Sequence, residues 1–97
     1  MIMIRRAIMQ AYALEKNEYM DKLFSKMAKK NRKHLYIIRK KLIQILDDPH
    51  RFKPLRSDMK NYREVHIDSH FVLVYTINET NKTVKLIDYN NHDKIFF

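Results

Sequence analysis

The sequence contains no cysteine. That excludes a disulfide framework, thiol catalysis and a cysteine-ligated zinc site. It contains no glycine either. Positions that need a left-handed backbone must then fall largely to asparagine, the commonest non-glycine visitor to that region. Asn17, Asn31, Asn61, Asn78, Asn81, Asn90 and Asn91 all lie at expected element boundaries. There is no apolar run long enough to span a bilayer. Met1 to Met9 is apolar, but Arg5 and Arg6 interrupt it and no small-residue cleavage site follows. A soluble cytoplasmic protein with no membrane partner is expected. Residues 29 to 41 contain no acid.

What is present is a large cationic excess. The formal charge is +9 over 97 residues. Lys29, Lys30, Arg32, Lys33, Arg39, Lys40 and Lys41 crowd the acid-free stretch. Such a surface fits a nucleic acid backbone or an acidic protein. A charge run by itself is more often a solvated helix face, and it is the global excess that points to a polyanionic partner. The length suits one small domain with one core, and an apolar fraction of 45% is normal for a globular protein.

Along the chain, Ala7 to Leu14 reads as a short edge strand, although Met, Gln and Ala are poor strand formers. Asn17 is a plausible N-cap for a first helix. In that helix Met20, Leu23, Phe24 and Met27 recur at i, i+3, i+4 and i+7 and form one apolar stripe. Asn31 reads as the next N-cap. Leu35, Ile38, Leu42, Ile45 and Leu46 then mark the buried side of a second helix. It stops before Asp48-Pro49, because a residue preceding proline avoids the helical region. The short connection predicts an antiparallel helical hairpin. A basic loop follows, His50-Arg51-Phe52-Lys53-Pro54-Leu55-Arg56.

The stretch from Asn61, NYREVHIDSHFVLVYTI, holds two strand-like runs across Asp68-Ser69-His70. Tyr62 to Ile67 alternates. Val65 and Ile67 share one face, and Tyr62, Glu64 and His66 share the other, since strand side chains alternate with period 2. His66 therefore points away from the core, where it can contact a ligand or simply be a polar residue on the wet side. Phe71 to Ile77 is apolar nearly throughout, as a strand covered on both faces reads. After a turn at Asn78 to Lys82, Val84 to Tyr89 is the last strand. The expected fold is α+β: a small antiparallel sheet, made of the short N-terminal strand plus three C-terminal strands, with the two-helix hairpin packed on one face.

Leu55, Tyr62-Arg63, His66, Val72-Leu73-Val74-Tyr75 and the closing His92-Asp93-Lys94-Ile95-Phe96 together resemble the RelE/ParE toxin superfamily, and within it the RelE and YafQ ribonuclease branch. The hairpin followed by three strands resembles it too, so the likeness covers nearly the whole chain as one domain, residues 1–97. The resemblance implies the toxin of a toxin–antitoxin pair that cleaves mRNA in the ribosomal A site. It also implies a cognate RelB-like antitoxin, small, acidic and helical, that forms a hetero-oligomer with the toxin. The basic helix faces, Lys26 to Arg39 especially, would meet the antitoxin's acids, and Tyr12, Tyr19 and Tyr36 would be apolar anchors. Three departures from the YafQ pattern stand out. Lys53-Pro54-Leu55 replaces His-Pro-Leu, His70-Phe71 replaces Asp-Trp, and Asp88 takes the place of an arginine near the tail.

Metal-independent RNA cleavage uses the 2′-hydroxyl as an internal nucleophile on the adjacent phosphorus. A base takes the hydroxyl proton, an acid protonates the leaving 5′-oxygen, and cations offset the added negative charge. Histidine, with an ordinary pKa of about 6.5, suits either proton transfer. By the resemblance, His66 and His92 are the acid/base pair, with Lys53 and Arg63 as catalytic cations and His70 as a third proton carrier. Arg56, Lys60, Phe71 and Phe96 are the RNA contacts, the rings stacking on bases. The competing reading for Phe71 is a core residue. No cofactor is implied, and a metal site is not: His66 and His70 lie four apart across a turn rather than on a helix. Two other readings keep the fold and drop the chemistry, a ParE-like gyrase poison and a non-catalytic RNA- or antitoxin-binding module.

Overall fold

The computed structural model describes residues 11–56 and 61–95. The order is β1 (Ala13–Leu14), α1 (Glu18–Lys30), α2 (Arg32–Asp47), a 3₁₀ turn (Pro49–Arg51), β2 (Tyr62–His66), β3 (Phe71–Asn78), β4 (Thr83–Asn91) and a second 3₁₀ turn (His92–Lys94). The two helices and the strands form the α+β arrangement expected. The expected start of the first strand at Ala7 lies outside the described residues.

Both helices begin where asparagine can cap them. The Asn17 side chain accepts from the backbone N–H groups of Tyr19 and Met20, and Asn31 accepts from His34 N–H. Each cap satisfies donors that the first helical turn leaves open. Asn31 also closes α1, its own N–H donating to Met27 O. Met20 and Met27 from α1 and Leu35, Ile38, Ile45 and Leu46 from α2 are buried against Val65, Ile67, Leu73, Tyr75, Ile77, Val84 and Leu86. Leu23, Phe24 and Leu42 pack half-buried at the margin of that core. Burying one such side chain stabilises by about 1.5–3 kcal/mol.

The strands lie in the order β1-β4-β3-β2. β2, β3 and β4 are antiparallel neighbours, but β1 runs parallel to β4. The sheet is therefore mixed, a correction to the antiparallel sheet expected from the sequence. The helical hairpin is the cause. It leaves from β1 and returns to the end where β1 began, so that Tyr12 N–H donates to Leu46 O at 3.0 Å. β2 restarts from that end, and two reversals later β4 runs in the direction of β1.

The second correction concerns asparagine. Among the described residues the one positive φ outside glycine is at Lys82, φ 55°. The asparagines act through their side chains instead, capping both helices and accepting Asn81 N–H at Asn78 Oδ1. Lys82 is held in place by several contacts. Its Nζ lies 3.2 Å from Glu79 Oε2 and over the Tyr12 ring, and its carbonyl accepts from Ala13 N–H.

The far face of the sheet carries no helix among the described residues. Val72 and Val74 are nevertheless buried there. Register sets them beside His66 and Asn90, and beside Glu64 and Asp88. This open face is where the candidate site forms.

Candidate active site on the open face of the sheet

Period-2 alternation along β2 sends Val65 into the core and Glu64 and His66 to the open face. At the end of β4 the chain turns into the second 3₁₀ segment. Its first residue, His92, donates its N–H to His70 O at 2.8 Å. Asn91 Oδ1 accepts from Asp93 N–H at 3.0 Å and fixes the turn. The result sets two imidazoles side by side. The His66 and His92 rings lie 6.2 Å apart, centre to centre, with only 12° between their planes. Both side chains are more than half exposed.

Behind them sits a carboxylate to which the sequence reading gave no role. Glu64 is only 5% exposed, and its Oε1 lies 3.9 Å from His66 Nε2 and 3.9 Å from His92 Nε2. That oxygen is buried without a hydrogen-bond partner. Alternation already placed Glu64 on the His66 face. What it could not show is that this position is buried while His66 is left open.

Lys53 reaches the same neighbourhood through the backbone. Glu64 N–H donates to Lys53 O, and Leu55 N–H to Tyr62 O, so residues 53–55 run along the outer edge of β2. Arg56 follows on that segment, exposed. His70 is exposed in the β2–β3 turn and contributes its carbonyl to the placing of His92.

Arg63 and Phe71 are not brought to this face. Arg63 lies opposite Tyr75 on the helix side, and its guanidinium donates to Phe52 O at 2.7 Å. Phe71 packs against the core, its ring stacked on Tyr89 and edge-on to His34. Both placements follow from the register that points His66 outward. Lys60 and Phe96 lie outside the described residues. Asp88, in the place where the YafQ pattern has arginine, accepts from the Tyr19 hydroxyl at 3.3 Å.

A second histidine constellation lies under the β2–β3 turn. His34 is buried at the start of α2. Its Nε2 faces Asp68 Oδ2 at 3.1 Å and its Nδ1 is bonded to the Tyr89 hydroxyl. This fits an Nε2–H tautomer that donates to Asp68 and accepts from Tyr89. The Ser69 backbone N–H, and after it His34, hold the Asp68 carboxyl below its ordinary range. Burial, and after it the Asp68 charge, push the Tyr89 hydroxyl up to about 12. The trio ties α2 to the turn that follows His66.

Among the described residues no group of three or more acidic, histidine or cysteine side chains is arranged to hold a metal ion. No helix among them is long and apolar enough to cross a membrane.

The chain is similar to known proteins. Residues 11–97 match the family model for YafQ, described as a bacterial toxin of a type II toxin–antitoxin system. An uncharacterized protein of Methanosarcina mazei is 48% identical over 85 residues, spanning 88% of this chain and 99% of that one. A protein of Methanocaldococcus jannaschii named "Putative toxin RelE4" is 41% identical over 85 residues, spanning 88% and 90% of the two chains. Among solved structures, a mutant of the E. coli toxin RelE in the free state superposes with a TM-score of 0.64 at 25% identity, covering 84% of this chain and 83% of that one. With a family model matched over nearly its whole length and a fold to suit, the chain belongs to the YafQ family of type II toxin–antitoxin toxins, within the RelE group.

Proposed function

We propose that this toxin is a ribosome-dependent mRNA endonuclease that stops translation by cutting mRNA in the A site. One observation carries the proposal: His66 and His92 stand side by side on the open face, exposed, within reach of one phosphodiester. One imidazole takes the proton of the 2′-hydroxyl as that oxygen attacks phosphorus. The other protonates the departing 5′-oxygen. The P–O5′ bond breaks, leaving a 2′,3′-cyclic phosphate and a 5′-hydroxyl, and no metal takes part. Lys53, beside Glu64 on the edge segment, and Arg56 supply cations for the phosphate charge. A site this small and open does little to impose in-line geometry by itself, so the ribosome supplies the alignment. A gyrase poison or a purely binding module of the same fold has no use for a proton-transfer pair.

The antitoxin is the second partner. The helix layer exposes Tyr36 and Ile43, seven residues apart on α2, and Tyr19 on α1. Tyr36 carries Lys40 over its ring. A groove bordered by Leu14, Met20, Phe24, Leu42 and Leu86 runs between the helices and the β1 edge. Small acidic helices with apolar anchors fit that combination. Tyr12 is not such an anchor, since it is half-buried with its hydroxyl donated to Glu79. The proposal places the toxin in the cytoplasm with its ribosomal target.

The test is primer extension on mRNA in a translating extract. His66→Ala and His92→Ala should each lower cleavage by about 10²-fold or more, the usual size of a general acid–base contribution. Wild-type cleavage by both variants would refute the assignment.

A further inference from the structure

We propose that Glu64 is the positioning residue of the histidine pair: its buried oxygen is the shared acceptor that favours the Nε2–H tautomer of His66 and His92 and leaves Nδ1 of each ring to face the RNA. The geometry is specific. A carboxylate oxygen without a hydrogen-bond partner is rare at such burial, because a desolvated acceptor left empty is costly. Here it is flanked by two imidazole nitrogens at 3.9 Å, and both are Nε2. That separation is too long for a formed hydrogen bond and short enough that a small ring rotation completes one. With one oxygen between two rings, either ring can close on it.

An imidazole that donates from one nitrogen presents a lone pair on the other. Which nitrogen carries the proton is set by the partner of the first, and here that partner is fixed in a strand with its position held by the β2–β3 register. Among the described residues Asp93 is the other acid near the pair, with its Oδ1 3.9 Å from His92 Nδ1, but its side chain is 95% exposed. It is a weak competitor for a fixed tautomer. Lys53 adjoins Glu64 through its backbone carbonyl, which accepts from Glu64 N–H.

The inference rests on the nuclease reading for its effect on cleavage, but not for its effect on the rings. The test therefore has two arms on the full chain. In the first, long-range ¹H–¹⁵N spectra of the histidine side chains are recorded near pH 8, where imidazoles are mostly neutral. Wild-type His66 and His92 should show the Nε2–H tautomer. Glu64→Gln should move both towards a mixture, because an amide offers a donor as readily as an acceptor. His34, engaged by Asp68 and Tyr89, should keep its signals and so report that the variant is folded. Glu64→Asp retains the charge but withdraws it by one methylene and should fall between the two. In the second arm, Glu64→Gln should cleave mRNA about 10–100-fold more slowly than wild type, the usual cost of removing a group that orients a functional histidine. Unchanged tautomers in either folded variant, or wild-type cleavage by Glu64→Gln, would overturn the inference. If wild type itself fails to cleave, the nuclease reading is lost, and the first arm still decides what Glu64 does.

Discussion

His34 shows how much one side chain can hold at the residue scale. It is buried with both ring nitrogens engaged, one by Asp68 and one by Tyr89, and with Phe71 packed edge-on. His34→Ala would leave a cavity and two polar groups that have lost their partner. The expected loss is about 2–4 kcal/mol, read as a lower urea midpoint. His34→Gln keeps a donor and an acceptor and should cost less. Equal stability of the alanine variant and wild type would show that the trio contributes nothing net. Nothing in the sequence marks His34, since a lone histidine in a basic helix looks like surface. The outward direction of His66 was legible, because Val65 and Ile67 fix the inward face of β2. The same alternation assigns Arg63 to the face of Val65, so its distance from the site was legible too, once alternation is set above residue type. The burial of Glu64 was not legible. Its neighbours are Val74 on the adjacent strand and Asp88 one strand beyond, and a single strand does not encode that register.

At the scale of elements, the helical hairpin was the most legible part. Both asparagine caps and the stop at Asp48-Pro49 are where local chemistry puts them. Asn17 has a further role, since its Nδ2 donates to Leu86 O at 2.6 Å and so pins the start of α1 to β4. Asn17→Asp keeps the cap but sets a carboxylate against that carbonyl, whereas Asn17→Ala loses both. Each should destabilise by about 1–2 kcal/mol, and Asn31→Ala, which loses one cap bond, by about 1 kcal/mol. Thermal melts of the three variants check the order. An Asn17→Asp variant as stable as wild type would mean that the tie to β4 adds nothing. The parallel pairing of β1 was the illegible part. Two residues contribute to it, and its direction follows from where the hairpin returns the chain, not from anything in Ala13 or Leu14.

For the molecule as a whole, one carboxylate ties distant segments together. At the end of the sheet away from the histidine pair, Glu79 joins three segments. It accepts from the Tyr12 hydroxyl at 2.6 Å, lies 2.7 Å from His50 Nε2 and pairs with Lys82. The Tyr12 hydrogen bond, then those of His50 and Lys82, lower its carboxyl from the ordinary 4.5 to about 2. A carboxyl lowered on folding stabilises the fold fully above the unfolded value, and that contribution is lost as pH falls from about 4.5 to about 2. Wild type should therefore lose stability across that window more steeply than Glu79→Gln, as urea midpoints at pH 6 and pH 3 would show. Parallel losses would mean that the carboxylate contributes nothing.

With a charge of +9, the proposed RNA binding should be salt-sensitive. Antitoxin binding through Tyr36, Ile43 and the helix groove should instead outlast about 1 M salt, where the Debye length is about 3 Å. If a salt wash strips the antitoxin as readily as RNA, the interface is mainly electrostatic. The proposed role of the His66–His92 pair is to drive attack by the 2′-hydroxyl. The most direct measurement is cleavage of an mRNA carrying a single 2′-deoxy nucleotide immediately 5′ of the scissile bond, in the translating extract. This site should no longer be cut, while the all-ribose mRNA should be cut to leave a 5′-hydroxyl. Cleavage of both at similar rates would contradict it.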